Sequence, residues 1–508
     1  MVHNSRSHAK PVKANSARIT PNPVEQLPSS RHLKWFLTVL LAYFGLRLLF
    51  YAITVSPYVP PDENTHVGVS RIFSTVPFLP ENSPETYQYG LVTNIPYLYY
   101  WTMGKLLTVN FFNMPDLLFL RLLNIPFAFG TVYFSWRTLR LLTDDRLSQL
   151  LLIVATTNTI MFSFLSAFVS YDNLTNLLAA AAVYHLLAFL KNRSGDLLAI
   201  SLLYLLAGSL TKVSFLPLVL ILTMLLFIHE AKNIRLLPGV LSGYFKTAGW
   251  RQWGFAICIL LGLALNIQHY GGNYLHYGNL APEMFDVLSP DKAMQNRLAA
   301  RSLIFFQFKE GRISRAEALA MTSQINHPGD RADAIYLIEN YDALKSSKTE
   351  LLGPLDYLIF WVPQMAAGIF GIFGHIQMAN RGPTIWPFAV LGMLTILGIL
   401  FRWRPGEAGW LSSCLMAIAV FYGLFLLYFV NYSGYLDCGA LGIALQGRYI
   451  FPVLGPIYVI SSFYLPHLFR NERLRLGVSS AACIIFIASD FPYFLLHATP
   501  EWFRPLFS

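Results

Sequence analysis

Charge is what this 508-residue sequence is most short of: Asp, Glu, Lys and Arg together make up 13% of it, against 55% apolar residues. A soluble globular chain carries about a quarter charged residues, so that class is excluded and a polytopic membrane protein is implied. The mean hydropathy of +0.47 agrees. Cysteine is also sparse. Of the four, Cys258, Cys414 and Cys483 lie in apolar runs and only Cys438 falls in an expected outside loop, so no intrachain disulfide framework follows. No internal repeat is visible, which weakens an inverted-repeat transporter. Residues 1–33 lack an apolar core; their Ser, Pro, Asn and basic residues describe a disordered cytoplasmic tail and not a cleaved signal peptide. The net charge of +10 does not indicate nucleic acid, because Lys and Arg gather at the ends of apolar segments, where they set topology.

What is present is a succession of apolar segments, each near the length of about 20 residues that crosses a bilayer. The segments 35–55, 117–142, 147–168, 174–190, 197–210, 213–228, 255–267, 385–400, 411–429, 449–464 and 476–487 predict an all-α membrane protein of about 11 transmembrane helices. The basic tail keeps the N-terminus cytoplasmic, which puts the C-terminus outside. Two further stretches, 95–112 and 356–373, are ambiguous. The first is aromatic and carries Lys105, so it reads as an interfacial helix; the second would place Arg402 and Arg404 outside if it crossed, so it reads as re-entrant or flat. The domains follow: a tail over 1–33, a transmembrane module over 34–268 with a first outer loop at 56–115, an extracytoplasmic helical insert over 269–353, and a second transmembrane module over 354–508.

The stretch Pro60-Pro61-Asp62-Glu63-Asn64-Thr65-His66 directly follows the first span. Prolines suit a helix start, so Asp62 and Glu63 are expected in its first turn, with His66 on the same face. Its plainer reading is an interfacial helix with acids at its positive end. The topology adds that Asp62, Glu63, His66, Arg121, Asp172, Lys212 and Arg448 all fall at outer ends of spans. Ionisable groups at membrane depth are expensive and mark function. Each has a structural alternative: Arg121 and Lys212 as snorkelling cations, Asp172 as a helix cap, Arg448 as the polar opening of an apolar span. Arg47, inside the first span, pairs with an acid or snorkels. Tyr87, Tyr89, Tyr97, Tyr99, Tyr100 and Trp101 read as an interfacial belt before a sugar platform.

Acids and bases around one outer pocket suit transfer of a sugar from a lipid phosphate. Arg448 and Lys212 would hold the phosphate and Asp62 or Glu63 would take a proton from the attacking hydroxyl. The order of motifs resembles the GT-C superfamily of integral-membrane glycosyltransferases: Asp62-Glu63 after the first span, Ile95-Pro96-Tyr97-Leu98-Tyr99-Tyr100, Arg121, Asp172, and Lys212 in Leu210-Thr211-Lys212-Val213. Within it, Pro60 to His66, Tyr171-Asp172 and Gln446-Gly447-Arg448-Tyr449-Ile450-Phe451-Pro452 are similar to the signature of a bacterial membrane family of unassigned function. The resemblance implies a polyprenyl-phosphate sugar donor and a glycan, lipid or protein acceptor of the cell envelope. It also implies Asp62 and Glu63 as catalytic residues, with His66, Arg121, Asp172, Lys212, Arg448 and Tyr449 binding substrate, in a bacterial inner membrane with the site outside. The insert after the seventh span replaces a large C-terminal soluble domain found in several relatives, so the acceptor stays open. No cofactor is specified. A divalent metal on Asp62, Glu63, His66 and Asp172 is the open alternative, although no diagnostic ligand spacing is present. The rival functions are a transporter or flippase of a lipid-linked sugar, and a glycan polymerase or ligase using a pyrophosphate-linked donor.

Overall fold

The structure, a computed structural model, describes residues 30–57, 59–231, 249–348, 350–372, 382–442 and 445–503. Most of the expected tail and the basic loop with Lys232, Arg235 and Lys246 lie outside these residues. Among the described residues the chain is helical, and its β-pairing is an isolated bridge between Val55 and Phe503.

The first half runs α1 Ser30–Thr54, α2 Glu63–Thr75, α3 Leu98–Leu107, α4 Asp116–Leu142, α5 Arg146–Thr157, α6 Ile160–Ser166, α7 Tyr171–Asn192, α8 Gly195–Ser209 and α9 Leu216–Glu230. The second half continues with Trp250–Asn266, a set of short helices, Arg297–Lys309, Pro328–Lys345, Pro354–Phe370, Gly382–Arg402, Glu407–Leu424, Leu454–His467 and Glu472–Ala488. Among the described residues nine helical segments are long and apolar enough to cross a membrane, and the bent pair α5 and α6 would make a tenth. The apolar α8 is shorter, at 15 residues. With it, these elements match the eleven expected segments one for one. The ten residues of α3 would span only about 15 Å, half a bilayer core, and they pack against α2 instead. Pro354–Phe370 has 17 residues interrupted by Pro363 and is not one of the helices long and apolar enough to cross.

The centre is α7. Of its most apolar stretch 83% is buried, against 28% for α1, so its neighbours and not lipid cover it. The run Ala179-Ala180-Ala181-Ala182 is small enough for α4 and α8 to approach closely on either side.

The expected straight span 147–168 is instead bent by 62° between α5 and α6. The cause is local. Thr156, Thr157, Asn158 and Thr159 each turn a side chain back to the carbonyl four residues earlier, at 2.7–2.9 Å, in competition with the helix ladder. Arg47 then donates to the Thr157 carbonyl at 2.6 Å and pairs with Asp490. That settles Arg47, which is buried and paired and does not snorkel.

The segment 269–353 is helical and has a small core of its own, formed by Ala300, Ile304, Phe308, Ala318, Ile325, Ala334 and Ile338. It is tied to the first outer loop: Asn296 donates to the Gln88 carbonyl at 3.1 Å, and Asn94 and Asn273 bond to each other.

Candidate functional site

The turn that begins the site does not run as the prolines suggested. The helix α2 starts at Glu63, and Asp62 is its N-cap in the left-handed region (φ 58°, ψ 8°). Aspartate tolerates that region better than most residues, at a cost of about 1–3 kcal/mol. The kink separates the two acids. Asp62 and Glu63 leave the backbone toward different partners.

Glu63 turns inward. Arg121 grips it bidentately, with Nε to Oε1 at 2.8 Å and a terminal nitrogen to Oε2 at 2.5 Å, and the Val169 amide donates to Oε1 at 3.0 Å. Arg121 also donates to the carbonyls of Ala52 and Val55, which ties the end of α1 to α4 and α2. Both side chains have no solvent exposure. Burial pushes the Glu63 carboxyl up, and Arg121 and the Val169 amide pull it back.

Asp62 turns the other way. Arg448 donates to Oδ2 at 2.8 Å, and the same guanidinium donates from Nε to Gln446 Oε1 at 2.6 Å while lying 3.7 Å from Asp172. Asp172 in turn pairs with Lys212. The cap of α7 is Ser170, whose hydroxyl accepts from the Asp172 amide at 3.2 Å and donates to Asp172 Oδ2 at 3.3 Å, so the Asp172 carboxylate caps no backbone amide there and faces the cations. Lys212 lies over the rings of Tyr171 and Tyr449, at 4.6 and 5.1 Å from their centroids. Among the acids here only Asp62 is appreciably open, 31% exposed against 4% for Asp172 and 0% for Glu63.

His66 completes the floor. Its Nδ1 is 2.9 Å from Tyr100 Oη, and its ring meets Tyr171 edge to face at 4.6 Å. Burial pushes its pKa down to about 4, against the opposing pull of Asp62 and Asp172, so it is neutral at pH 7. A second tier holds these elements in place. Asn124 accepts from Tyr99 Oη and from Asn173, while Asn173 also donates to the Leu165 and Phe168 carbonyls left open at the end of α6.

The structure thus brings Asp62, His66, Asp172, Lys212, Arg448 and Tyr449 into one place, with Glu63 and Arg121 as a closed pair beside it. Sequence reading missed two members. Tyr171, quoted only as a motif letter, flanks both His66 and Lys212. Arg297 comes from the insert, 3.7 Å from Asp62 and shared with Asp330. Its signal was faint: Asn296 caps a helix there, which says where Arg297 starts but not what it reaches.

The residues do not fit a divalent metal. Among the described residues no group of three or more His, Cys, Asp or Glu could hold one. Glu63 is committed to Arg121, and Asp62 and Asp172 face cations.

No protein-family model matches the chain, and no curated protein matches it. Among solved structures it is similar to a crystal structure of ArnT from Cupriavidus metallidurans in the apo state. The TM-score is 0.34 and the identity 11%, over 86% of this chain and 78% of that one.

Proposed function

We propose that this chain is a membrane glycosyltransferase that moves a sugar from a polyprenyl-phosphate-linked donor to an acceptor hydroxyl, with Asp62 as general base. The observation that carries the reading is the meeting of Asp62, Asp172, Lys212 and Arg448 at the ends of apolar helices, with Asp62 and Arg448 386 residues apart in the chain. Buried charges so placed are costly and are kept for what they bind. The motif order that resembles GT-C enzymes points the same way.

The chemistry is a single displacement. The acceptor oxygen attacks the anomeric carbon, the bond from that carbon to the phosphate oxygen breaks, and the hydroxyl proton passes to Asp62. The lipid phosphate leaves as an anion, held by the Arg448 fork and the compact charge of Lys212. In the arrangement seen here Arg448 is engaged by Asp62. An arriving phosphate competes for that guanidinium, so donor binding releases the carboxylate that must accept the proton. Neutral His66 orients and does not add charge, Tyr449 and Tyr171 wall the Lys212 side, and Glu63 serves to hold Arg121. Arg297 brings the insert over the open side of Asp62. The acceptor is a glycan, lipid or protein on that side, and the setting is a bacterial inner membrane with this face outward.

The test is incubation of the purified protein with a panel of polyprenyl-phosphate sugars and their pyrophosphate-linked counterparts, following release of the free lipid phosphate by mass spectrometry. Turnover of a phosphate-linked donor, lost in Asp62→Asn, is the expected result. Consumption of pyrophosphate-linked donors alone would make the chain a polymerase or ligase. A transport reading draws on Arg47 and Asp490, a charged pair inside the spans. Movement of lipid-linked sugar across proteoliposomes without transfer would favour it.

A further inference from the structure

A second charged constellation lies at the far end of the same span that opens with Arg448. The segment Gly447–His467 is 21 residues long, so its two ends stand roughly 30 Å apart, about one bilayer core. At the His467 end a cavity of about 410 Å³ is bordered by Arg402, His467, Arg470 and Arg475, by the acid Glu472, and by aromatic walls from Phe463, Tyr464 and Phe469. It shares no residue with the site around Asp62.

Basic residues at span ends are ordinarily topology signals, and such anchors need only reach water. Here three guanidinium groups from separate segments border one hollow, and their donors are not all used. Arg402 gives two nitrogens to the Leu468 carbonyl, at 3.2 and 2.8 Å, which leaves its other terminal nitrogen without a partner among the described residues. Arg475 pairs with Asp145 at 2.6 Å and with Glu472 at 3.3 Å, while its Nε is buried and unpartnered. Arg470 is exposed and makes no hydrogen bond or ion pair among the described residues. His467 gives Nδ1 to the Phe463 carbonyl at 2.6 Å, which fixes its ring. Three arginines against Glu472 and Asp145 leave one positive charge in excess, facing a space with aromatic sides.

We propose that this cavity binds a phosphate group, with the excess charge and the unused guanidinium donors as its anchor and the aromatic walls against what the phosphate carries. Its two possible sources are the headgroup of an anionic phospholipid and free phosphate in the aqueous phase. The site is independent of sugar transfer, so it stands or falls separately.

The lipid arm uses the full chain in nanodiscs of equal parts phosphatidylcholine and phosphatidylglycerol, followed by native mass spectrometry to count retained lipids. The aqueous arm measures binding of inorganic phosphate to delipidated protein in detergent. Arg470→Glu reverses a lining charge that supports no other contact. Arg473→Glu makes the same change in net charge three residues away, outside the lining. Retention of phosphatidylglycerol over phosphatidylcholine, reduced roughly tenfold by Arg470→Glu and unchanged by Arg473→Glu, assigns the site to a lipid. The same pattern with inorganic phosphate alone assigns it to a soluble anion. Equal effects of the two variants in both arms, or no binding in either, would overturn the proposal; size-exclusion profiles of both variants check that each is folded.

Discussion

Asp62 and Glu63 follow one another in the chain, yet one carboxylate opens toward solvent beside Arg448 while the other is closed around Arg121, and their substitutions should therefore fail in different ways. Asp62→Asn keeps the size and loses the base. It should cut transfer by about 10²–10⁴-fold, the usual contribution of a general base, with expression and thermal stability near wild type. Glu63→Gln leaves the Arg121 charge buried and uncompensated, a loss of about 3–5 kcal/mol, and should show first as low yield and a lowered melting temperature. A well-folded, inactive Glu63→Gln protein beside an active Asp62→Asn would reverse the assignment. His66 gives a pH signature. Its pKa is about 4 folded against 6.5 as a free side chain, so the unfolded chain binds more protons between those values. Stability should be level above pH 6.5 and fall as pH drops toward 4, by about 3 kcal/mol in all. His66→Gln should flatten that slope in melting curves, and an unchanged slope would remove the histidine from the account. The sequence exposed these residue types because charge is rare in an apolar chain. It did not reveal which acid was which: the left-handed turn at Asp62 parts them, and the partners they then meet, Arg448 and Arg121, are both far away along the chain.

At the scale of elements, Arg448 is aimed by a contact between two glycines. Gly447 and Gly368 bring their backbones so close that a Cβ on Gly447 would lie 2.3 Å from the Gly368 carbonyl carbon, and one on Gly368 would lie 2.5 Å from the Gly447 amide. Backbone cannot yield there as a flexible side chain would. Gly447→Ala should therefore shift the 447–453 turn and move the guanidinium off its place; displacements near 1 Å cost about 10²-fold in well-positioned sites. Gly392→Ala, in the helix Gly382–Arg402 with nothing within 4 Å of the new methyl, is the control and should be neutral. Near-wild-type turnover in Gly447→Ala would mean that the turn is not held by this approach. The helices themselves were readable from apolar run length, down to the brief α8. The bend between α5 and α6 was not, since Thr and Asn are ordinary in membrane helices one at a time. Four in succession, with Arg47 drawing on a freed carbonyl, make the break.

For the molecule as a whole, the question is which face carries the site. The end of the bundle opposite Asp62 holds Arg137, Arg140, Lys191, Arg193, Arg402, Arg470 and Arg475. Several are joined there to acids of neighbouring helices, as Lys191 is to Glu407 at 2.5 Å and Arg475 to Asp145 at 2.6 Å. By the positive-inside bias that excess would mark the cytoplasmic side, and the proposed orientation accordingly puts the insert and the acid–base cluster outside. The insert's reach to Asp62 through Arg297 was hidden in the sequence, because its mixed charges carry no periodic signal of what they face. The orientation can be read by cysteine labelling in a Cys258→Ser background, Cys258 being the exposed natural thiol. Gln324→Cys, on the exposed surface of the insert, should react with an impermeant maleimide in intact spheroplasts. Arg473→Cys, at the exposed start of the last apolar segment, should react only after the membrane is opened. The reverse pattern would put the cluster in the cytoplasm, where the proposed lipid-linked donor would have to present its sugar to the inner face, and labelling of both in intact cells would mean that the two ends do not lie on opposite sides of the bilayer.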